Sequence, residues 1–155
     1  MTAACGVCRA HEAIKTRTSA RDLVAWEAER WIIRHHLPPA PLPGWFLLDA
    51  RRHVQGPADF NVAEQREFGG VLSAACSAVK EATGSARVYV IMFGEGAHHL
   101  HAHLVPRHEG DSCAAWAVAD WYRDVERGLR VEASPDDVAR VVAEVRDAMR
   151  EFSLG

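Results

Sequence analysis

The order of apolar and polar positions divides this chain into a small set of elements. Phe68, Val71, Leu72, Ala75 and Val79 recur at spacings of three and four, which places them on one helical face. Asn61 followed by Glu64 resembles a capping box ahead of that face, and Gly84 supplies a stop, so the pattern predicts a helix over 61–83. Val138, Val141, Val142, Val145, Met149 and Phe152 make a second face. Ser134 as N-cap, Pro135 at the first helical position and Asp137 in the first turn begin that helix, predicted over 135–152.

Between the helices the period changes. RVYVIMF at 87–93 is rich in β-branched and aromatic residues and reads as a buried strand, as does GWFLLDA at 44–50. HLHAHLV at 99–105 alternates strictly, with His99, His101 and His103 on one face and Leu100, Ala102 and Leu104 on the other. Residues 22–36 mix helix and strand formers and are read as two strands turning near Glu27 to Arg30. Val118, Trp121, Tyr122, Val125 and Leu129 suggest a short helix within 113–129. The four prolines of LPPAPLPG, 37–44, predict an exposed, ordered loop.

No repeat or long linker divides the chain, and 155 residues is the size of a single domain, here 1–155. Its 18 basic and 21 acidic residues are scattered and leave a net charge of -3, which gives no footprint for duplex nucleic acid or an anionic membrane. No run of apolar residues is long enough to span a bilayer, and the opening MTAACGVCRAHEAIK lacks the pattern of a secretory signal. The expected location is cytoplasmic, with Cys5, Cys8, Cys76 and Cys113 reduced and Cys76 buried on its helix.

Candidate chemistry is concentrated in one place. Of nine histidines, His98, His99, His101, His103 and His108 fall within eleven residues. Histidines two apart on a strand stand about 6.6 Å apart on one face, so His99, His101 and His103 form a row aimed at one volume. Three chemistries use such a row: metal ligation, nucleophilic attack by a neutral imidazole, and pH sensing, the last with nothing else in the chain to support it. Cys5 and Cys8 have the spacing that lets two thiolates reach one tetrahedral ion, with histidines as the remaining ligands. A thioredoxin-type redox pair is the other reading, but it requires a preceding strand and only four residues precede Cys5.

The string His99-Leu-His101-Ala-His103-Leu-Val105, continued by Pro106-Arg107, resembles the His-φ-His-φ-His-φ-φ signature of the histidine triad superfamily, φ being apolar. The Gly94-Glu95 turn and the segment PGWFLLDARRHV at 43–54 are also similar to the family's pattern, and the resemblance covers about residues 5–110, leaving 111–155 as a helical extension. It implies an α+β fold with a five-stranded antiparallel sheet, a central helix and a C-terminal helix. It further implies a homodimer that acts on the α-phosphate of a nucleotide-type small molecule, such as a dinucleoside polyphosphate or a nucleoside phosphoramidate.

Carried onto this sequence, the resemblance makes His101 the nucleophile of a nucleotidyl-histidine intermediate, passed on to water or another acceptor. His103 would contact the phosphate, with Glu95, Gly96 and backbone amides of 94–96 at the substrate, and His99 would fix the row's orientation. A histidine near its ordinary pKa is largely neutral at pH 7 and can attack without a separate base. In the family's zinc-containing bacterial branch the ligands would be Cys5, Cys8, His53 and His99, a structural zinc that leaves His101 free. The resemblance extends to three departures: Trp45 where histidine is common, Glu95 where glutamine is common, and Gly96 where some members carry a hydroxyl. An acidic ribose ligand is missing, with His35 and His36 nearby.

A catalytically weak, zinc-stabilised nucleotide-binding module is the alternative function, and ligation of a catalytic metal by all three triad histidines is a third. Trp26, Trp31, Trp116 and Trp121 are read as core or dimer contacts, and His11, His35, His36 and His108 as surface residues. Arg107 is assigned to a phosphate contact or to the surface. Segment 111–134, with Trp116, Trp121 and Tyr122 just after the histidine strand, is expected to shape specificity.

Overall fold

A computed structural model describes residues 5–111 and 115–154; Cys113 and the side chain of Trp116 lie outside the described residues. Helix α1 (Gly6–Thr16) and the single turn α2 (Thr18–Arg21) lead into β1 (Val24–Glu27), β2 (Trp31–His35) and β3 (Phe46–Ala50). Helix α3 (Val62–Thr83), β4 (Arg87–Ile91) and β5 (His101–Arg107) follow, then α4 (Trp121–Glu126) and α5 (Pro135–Ala148). The strands form one antiparallel sheet in the order β1-β2-β3-β5-β4. The architecture is α+β, as expected, and no helix among the described residues is long and apolar enough to cross a membrane.

Every residue of β2 and β3 is buried, because both faces of the sheet are covered. Ile33, Phe46, Leu48, Ala102 and Leu104 point to a core shared with Val71, Ala75 and Val79 of α3 and Val141, Val142 and Val145 of α5. Each Val, Leu, Ile or Phe side chain among them contributes about 1.5–3 kcal/mol on burial. On the opposite face Ile14 of α1 meets Ile32, and Val118 packs with Trp45, Leu47 and Val105. Double coverage explains why β2 lacks a two-residue hydrophobic period.

The predicted helix ends are present as contacts. Asn61 Oδ1 accepts from the Glu64 amide at 3.0 Å, Glu64 Oε2 accepts from the Asn61 amide at 2.9 Å, and Gly84 closes α3 at φ 61°. Ser134 Oγ accepts from the Asp137 amide at 3.1 Å. Helix α5 stops at Ala148, four residues short of the predicted end, where the chain tightens into turns such as Phe152 N–H to Met149 O at 3.1 Å. Phe152 still packs, edge to face, on Trp26. The short helix expected within 113–129 is present as α4, preceded by a 3-10 segment, Ala115–Asp120.

The proline loop corrects an expectation: Ala40 and Pro41 are buried. Segment 129–134 folds over them, with Ala133 N–H donating to Ala40 O at 2.9 Å and Arg130 Nε donating to Pro41 O at 3.1 Å. His35, expected at the surface, is wholly buried and braces this loop. Its Nδ1 donates to the His36 carbonyl at 2.9 Å, and its Nε2 accepts from the Gly44 amide at 3.0 Å. Gly44 has φ 89°, and a Cβ there would stand 2.4 Å from Thr83 Cγ2, so only glycine fits.

Both ring nitrogens of His35 are used by the neutral form, and burial pushes its pKa down to about 4. Between the unfolded value of about 6.5 and this folded value, the unfolded chain holds a proton that the folded chain refuses, so stability falls as pH drops through that window. His35→Gln removes the titration while leaving an acceptor. Urea unfolding between about pH 6.5 and 4 should show a native stability slope steeper than the variant's by up to about 1.4 kcal/mol per pH unit. Equal slopes would contradict this account of His35.

Candidate active site and metal centre

Strand β5 begins at His101, so His99 belongs to the segment just before it. The three histidines do not face one volume as expected. His101 and His103, with ring centroids 5.1 Å apart, line a cleft, while the His99 ring turns towards the N-terminus of α1.

Hydrogen bonds fix the ring tautomers. His101 Nδ1 lies 2.6 Å from the His99 carbonyl oxygen, which can only accept. The Nδ1 proton therefore donates, and the lone pair of the neutral ring is on Nε2. His103 is the reverse: the Trp45 indole Nε1–H, a donor only, reaches His103 Nδ1 at 2.9 Å, which leaves the His103 proton on Nε2. Burial, reinforced by the neighbouring His101 and His36, pushes His103 down to about 3, so its ring stays neutral. Trp45 thus carries a hydrogen bond to His103 that sequence reasoning did not foresee.

The cleft has a volume of about 560 Å³. Arg34, His36, Trp45 and Leu47 form its floor beside the two histidines, Val7 and Ala10 of α1 form one wall, and Gly96, Ala97, Tyr122 and Arg123 contribute from loops and α4. The Trp45 ring stands edge-on to His103 and His36 at 5.7 and 5.8 Å, and Tyr122 lies 5.4 Å from His36. Gly96 lines the cleft, whereas Glu95 is exposed and does not. Of the segment expected to shape specificity, Tyr122 reaches the cleft; Trp121 instead stacks on Arg107 and Arg130.

Several residues assigned to the surface lie inside. Arg107 is 1% exposed and sandwiched between Tyr89 and Trp121, so it is neither a surface residue nor part of the cleft. His36 is half-buried and lines the cleft. His11 Nε2 lies 3.1 Å from Asp49 Oδ2, which also accepts from Arg34 Nε at 2.7 Å. Burial alone would raise the Asp49 carboxyl, but Arg34 and His11 outweigh it and hold it below the usual carboxylate range. Asp49 is the cross-strand partner of His101. Nothing local in the sequence links 11, 34 and 49, although Val7, Ala10 and Ile14 at helical spacing could have signalled α1. His108 is exposed, as expected.

Cys5, Cys8, His53 and His99 come together, their donor atoms all within 4.8 Å of one another. Cys8 Sγ lies 3.4 Å from His99 Nδ1 and 3.3 Å from His53 Nδ1, and Cys5 Sγ lies 3.7 Å from His99 Nδ1. Tetrahedral zinc with ordinary bond lengths sets sulfur and nitrogen ligands about 3.5 Å apart, so this donor set fits the ion. His99 Nε2 donates to the Ala50 carbonyl at 2.7 Å, the outer bond that turns a ligand's lone pair inward. Burial and the Cys5 thiol push the Cys8 thiol up, a tendency that a divalent cation reverses. Arg52 clamps Glu64 at 2.6 and 3.0 Å and anchors the loop that presents His53. The described cysteines, Cys5, Cys8 and Cys76, are free thiols, and Cys76 is half-buried.

Neither a protein-family model nor a curated protein matches the sequence. The fold, by contrast, is shared. It is similar to that of a hypothetical histidine triad nucleotide-binding protein from Sulfolobus tokodaii strain 7, at TM-score 0.65 and 16% identity over 96% of this chain and 100% of that one. It is also similar to a zinc-bound histidine triad family protein from Mycobacterium smegmatis, at TM-score 0.59 and 15% identity over 83% of this chain and 86% of that one. A Hit-like protein from Bartonella henselae, described with an unknown ligand, gives TM-score 0.59 and 19% identity over 81% of this chain and 85% of that one. This chain therefore has the histidine triad fold, with His101 and His103 in β5 and His99 just before it.

Trp45→Phe keeps the aromatic packing and removes the donor to a buried ring nitrogen. Denaturant unfolding should show a loss of about 1–3 kcal/mol from the unpaired His103 Nδ1. Unchanged stability would mean that the indole bond does not hold His103.

Proposed function

We propose that this chain is a histidine triad enzyme that hydrolyses or transfers nucleotides at the α-phosphate through a covalent nucleotidyl-His101 intermediate. The observation that carries this reading is the His101 ring itself, held at Nδ1 by a backbone carbonyl and presenting Nε2 beside His103 in the cleft. In the first step the Nε2 lone pair attacks the α-phosphorus, a phosphorus–nitrogen bond forms, and the bond to the leaving group breaks with its electron pair going to that group. The Nδ1–H bond to His99 O supports the positive charge that then develops on the ring. In the second step water or another acceptor attacks the phosphorus, its proton is released to solvent, and the electron pair returns to Nε2.

His103, with its proton on Nε2, donates to a non-bridging phosphoryl oxygen, and this reading assigns the same part to backbone amides of 94–96. Trp45 has no lone pair with which to accept the His103 proton, so His103 acts as a fixed donor rather than a relay. Glu95, outside the cleft lining, is assigned no bond to the phosphate in this reading. The expected substrates are dinucleoside polyphosphates and nucleoside phosphoramidates, handled in the cytoplasm.

Cys5, Cys8, His53 and His99 would hold one zinc ion. The closed set of four protein ligands gives the ion a structural part, joining the start of α1 to the residue whose carbonyl orients His101. A homodimer would form along the outer edge of β4, which ends the sheet and exposes Val90, with Met92 and Phe93 exposed just beyond the strand.

The test is intact-protein mass spectrometry after brief exposure to adenosine phosphoramidate or diadenosine polyphosphate, with a quench mild enough to spare a phosphoramidate. The native chain should gain one nucleotidyl mass and His101→Ala none, and native spectra of the same sample should show one zinc per chain in a dimer. Binding without labelling would favour the non-catalytic module. Loss of turnover on chelation, with the fold intact, would favour a catalytic metal.

A further inference from the structure

Arg34 is a cation in the floor of the cleft that no step of the proposed chemistry uses. It is 5% exposed, and its Nε is committed to Asp49 at 2.7 Å. Neither Nη nitrogen bonds a described residue, and neither is among the sealed side-chain atoms left without a partner, so both keep solvent access in a residue that lines the cleft. The other arginine lining the cleft, Arg123, is 66% exposed and paired with Asp120. Arg34 is thus the buried cation of the cleft among the described residues.

Its place in the sheet says which part of a substrate it meets. Arg34 on β2 pairs with Leu47 on β3, and Leu47 pairs with His103 on β5. With neighbouring strands about 4.8 Å apart, the Arg34 backbone stands about 10 Å from that of His103. With the phosphorus against His101 Nε2 on β5, Arg34 stands two strands away on β2, on the side of the cleft where Val7, Ala10 and Leu47 supply apolar surface for a nucleoside. With Nε occupied by Asp49, the guanidinium presents its other edge, two parallel N–H donors. That edge matches two acceptors side by side.

We propose that Arg34 is a specificity-determining residue that reads the nucleobase and favours guanine over adenine, an inference that rests on the nucleotide reading above. Guanine offers O6 and N7 as adjacent acceptors, the pair most often bound by arginine. Adenine puts an amino donor beside N7, against which the same edge would leave a guanidinium N–H unpaired and opposed. Asp49, held in turn by His11, acts as the positioning residue that keeps the fork aimed.

The experiment compares kcat/KM for guanosine and adenosine 5′-phosphoramidates. It uses the native enzyme, Arg34→Lys, which keeps a charge opposite Asp49 but loses the parallel donors, and the double variant Arg34→Met with Asp49→Asn, which leaves no unpaired buried charge. The native enzyme should favour guanosine by roughly tenfold or more, and the variants should lose most of that ratio. Thermal melting identifies any variant that does not fold, and Arg34→Lys is the one expected to retain the native fold. A native enzyme without guanosine preference, or a ratio that survives in folded variants, overturns the inference while the nucleotide reading stands. Equal loss on both substrates also overturns it, by placing Arg34 on the phosphate. If the native protein neither binds nor turns over either compound, the nucleotide reading fails and takes this inference with it.

Discussion

The chemistry of this protein depends on the conformation of one residue, His99. Its Nε2–H is bonded to the Ala50 carbonyl, its Nδ1 faces the thiols of Cys5 and Cys8, and its own carbonyl accepts the proton of His101 Nδ1. Through these bonds the end of β3, the start of α1 and the His101 ring are set relative to one another. A rotation of His99 would shift the donor cluster and the His101 ring together, so the Cys/His cluster and the cleft are coupled through one backbone unit.

The two faces of the sheet solve different problems. The face towards α3 and α5 is an aliphatic core and supplies most of the buried apolar surface. The face under α1 buries Arg34, Asp49 and much of His11, a charged cluster that is costly to desolvate and leaves Asp49 Oδ1 without a hydrogen-bond partner. Apolar residues would cover that face at lower cost. Asp49 is the cross-strand neighbour of His101 and Arg34 lines the cleft, which is where the proposed recognition would give that expense in stability a use.

Much of the fold could be read from local signals. The caps of α3 and α5, the turn between β1 and β2 and the alternation of His101 to Leu104 each depend on residues a few positions apart. The Cys5, Cys8, His53 and His99 grouping followed from a family resemblance, and the structure brings the four together. What escaped were contacts between distant segments. Trp45 meets His103 across 58 positions, His11 meets Asp49 across 38, and His35 is buried because the loop it braces is covered by segment 129–134. Helix α1 escaped for another reason: its apolar face is three small or medium residues, Val7, Ala10 and Ile14, and no side-chain cap marks its start.

The central claim is that His99 O and the Trp45 indole hold His101 and His103 in opposite tautomers, one presenting a lone pair and the other a proton to the same cleft. Nitrogen-15 NMR of the imidazole rings, at about pH 8 where histidine is ordinarily neutral, tests this directly. The account predicts a protonated Nδ1 and bare Nε2 for His101, and a bare Nδ1 and protonated Nε2 for His103. A proton on His101 Nε2 in the neutral ring would contradict it.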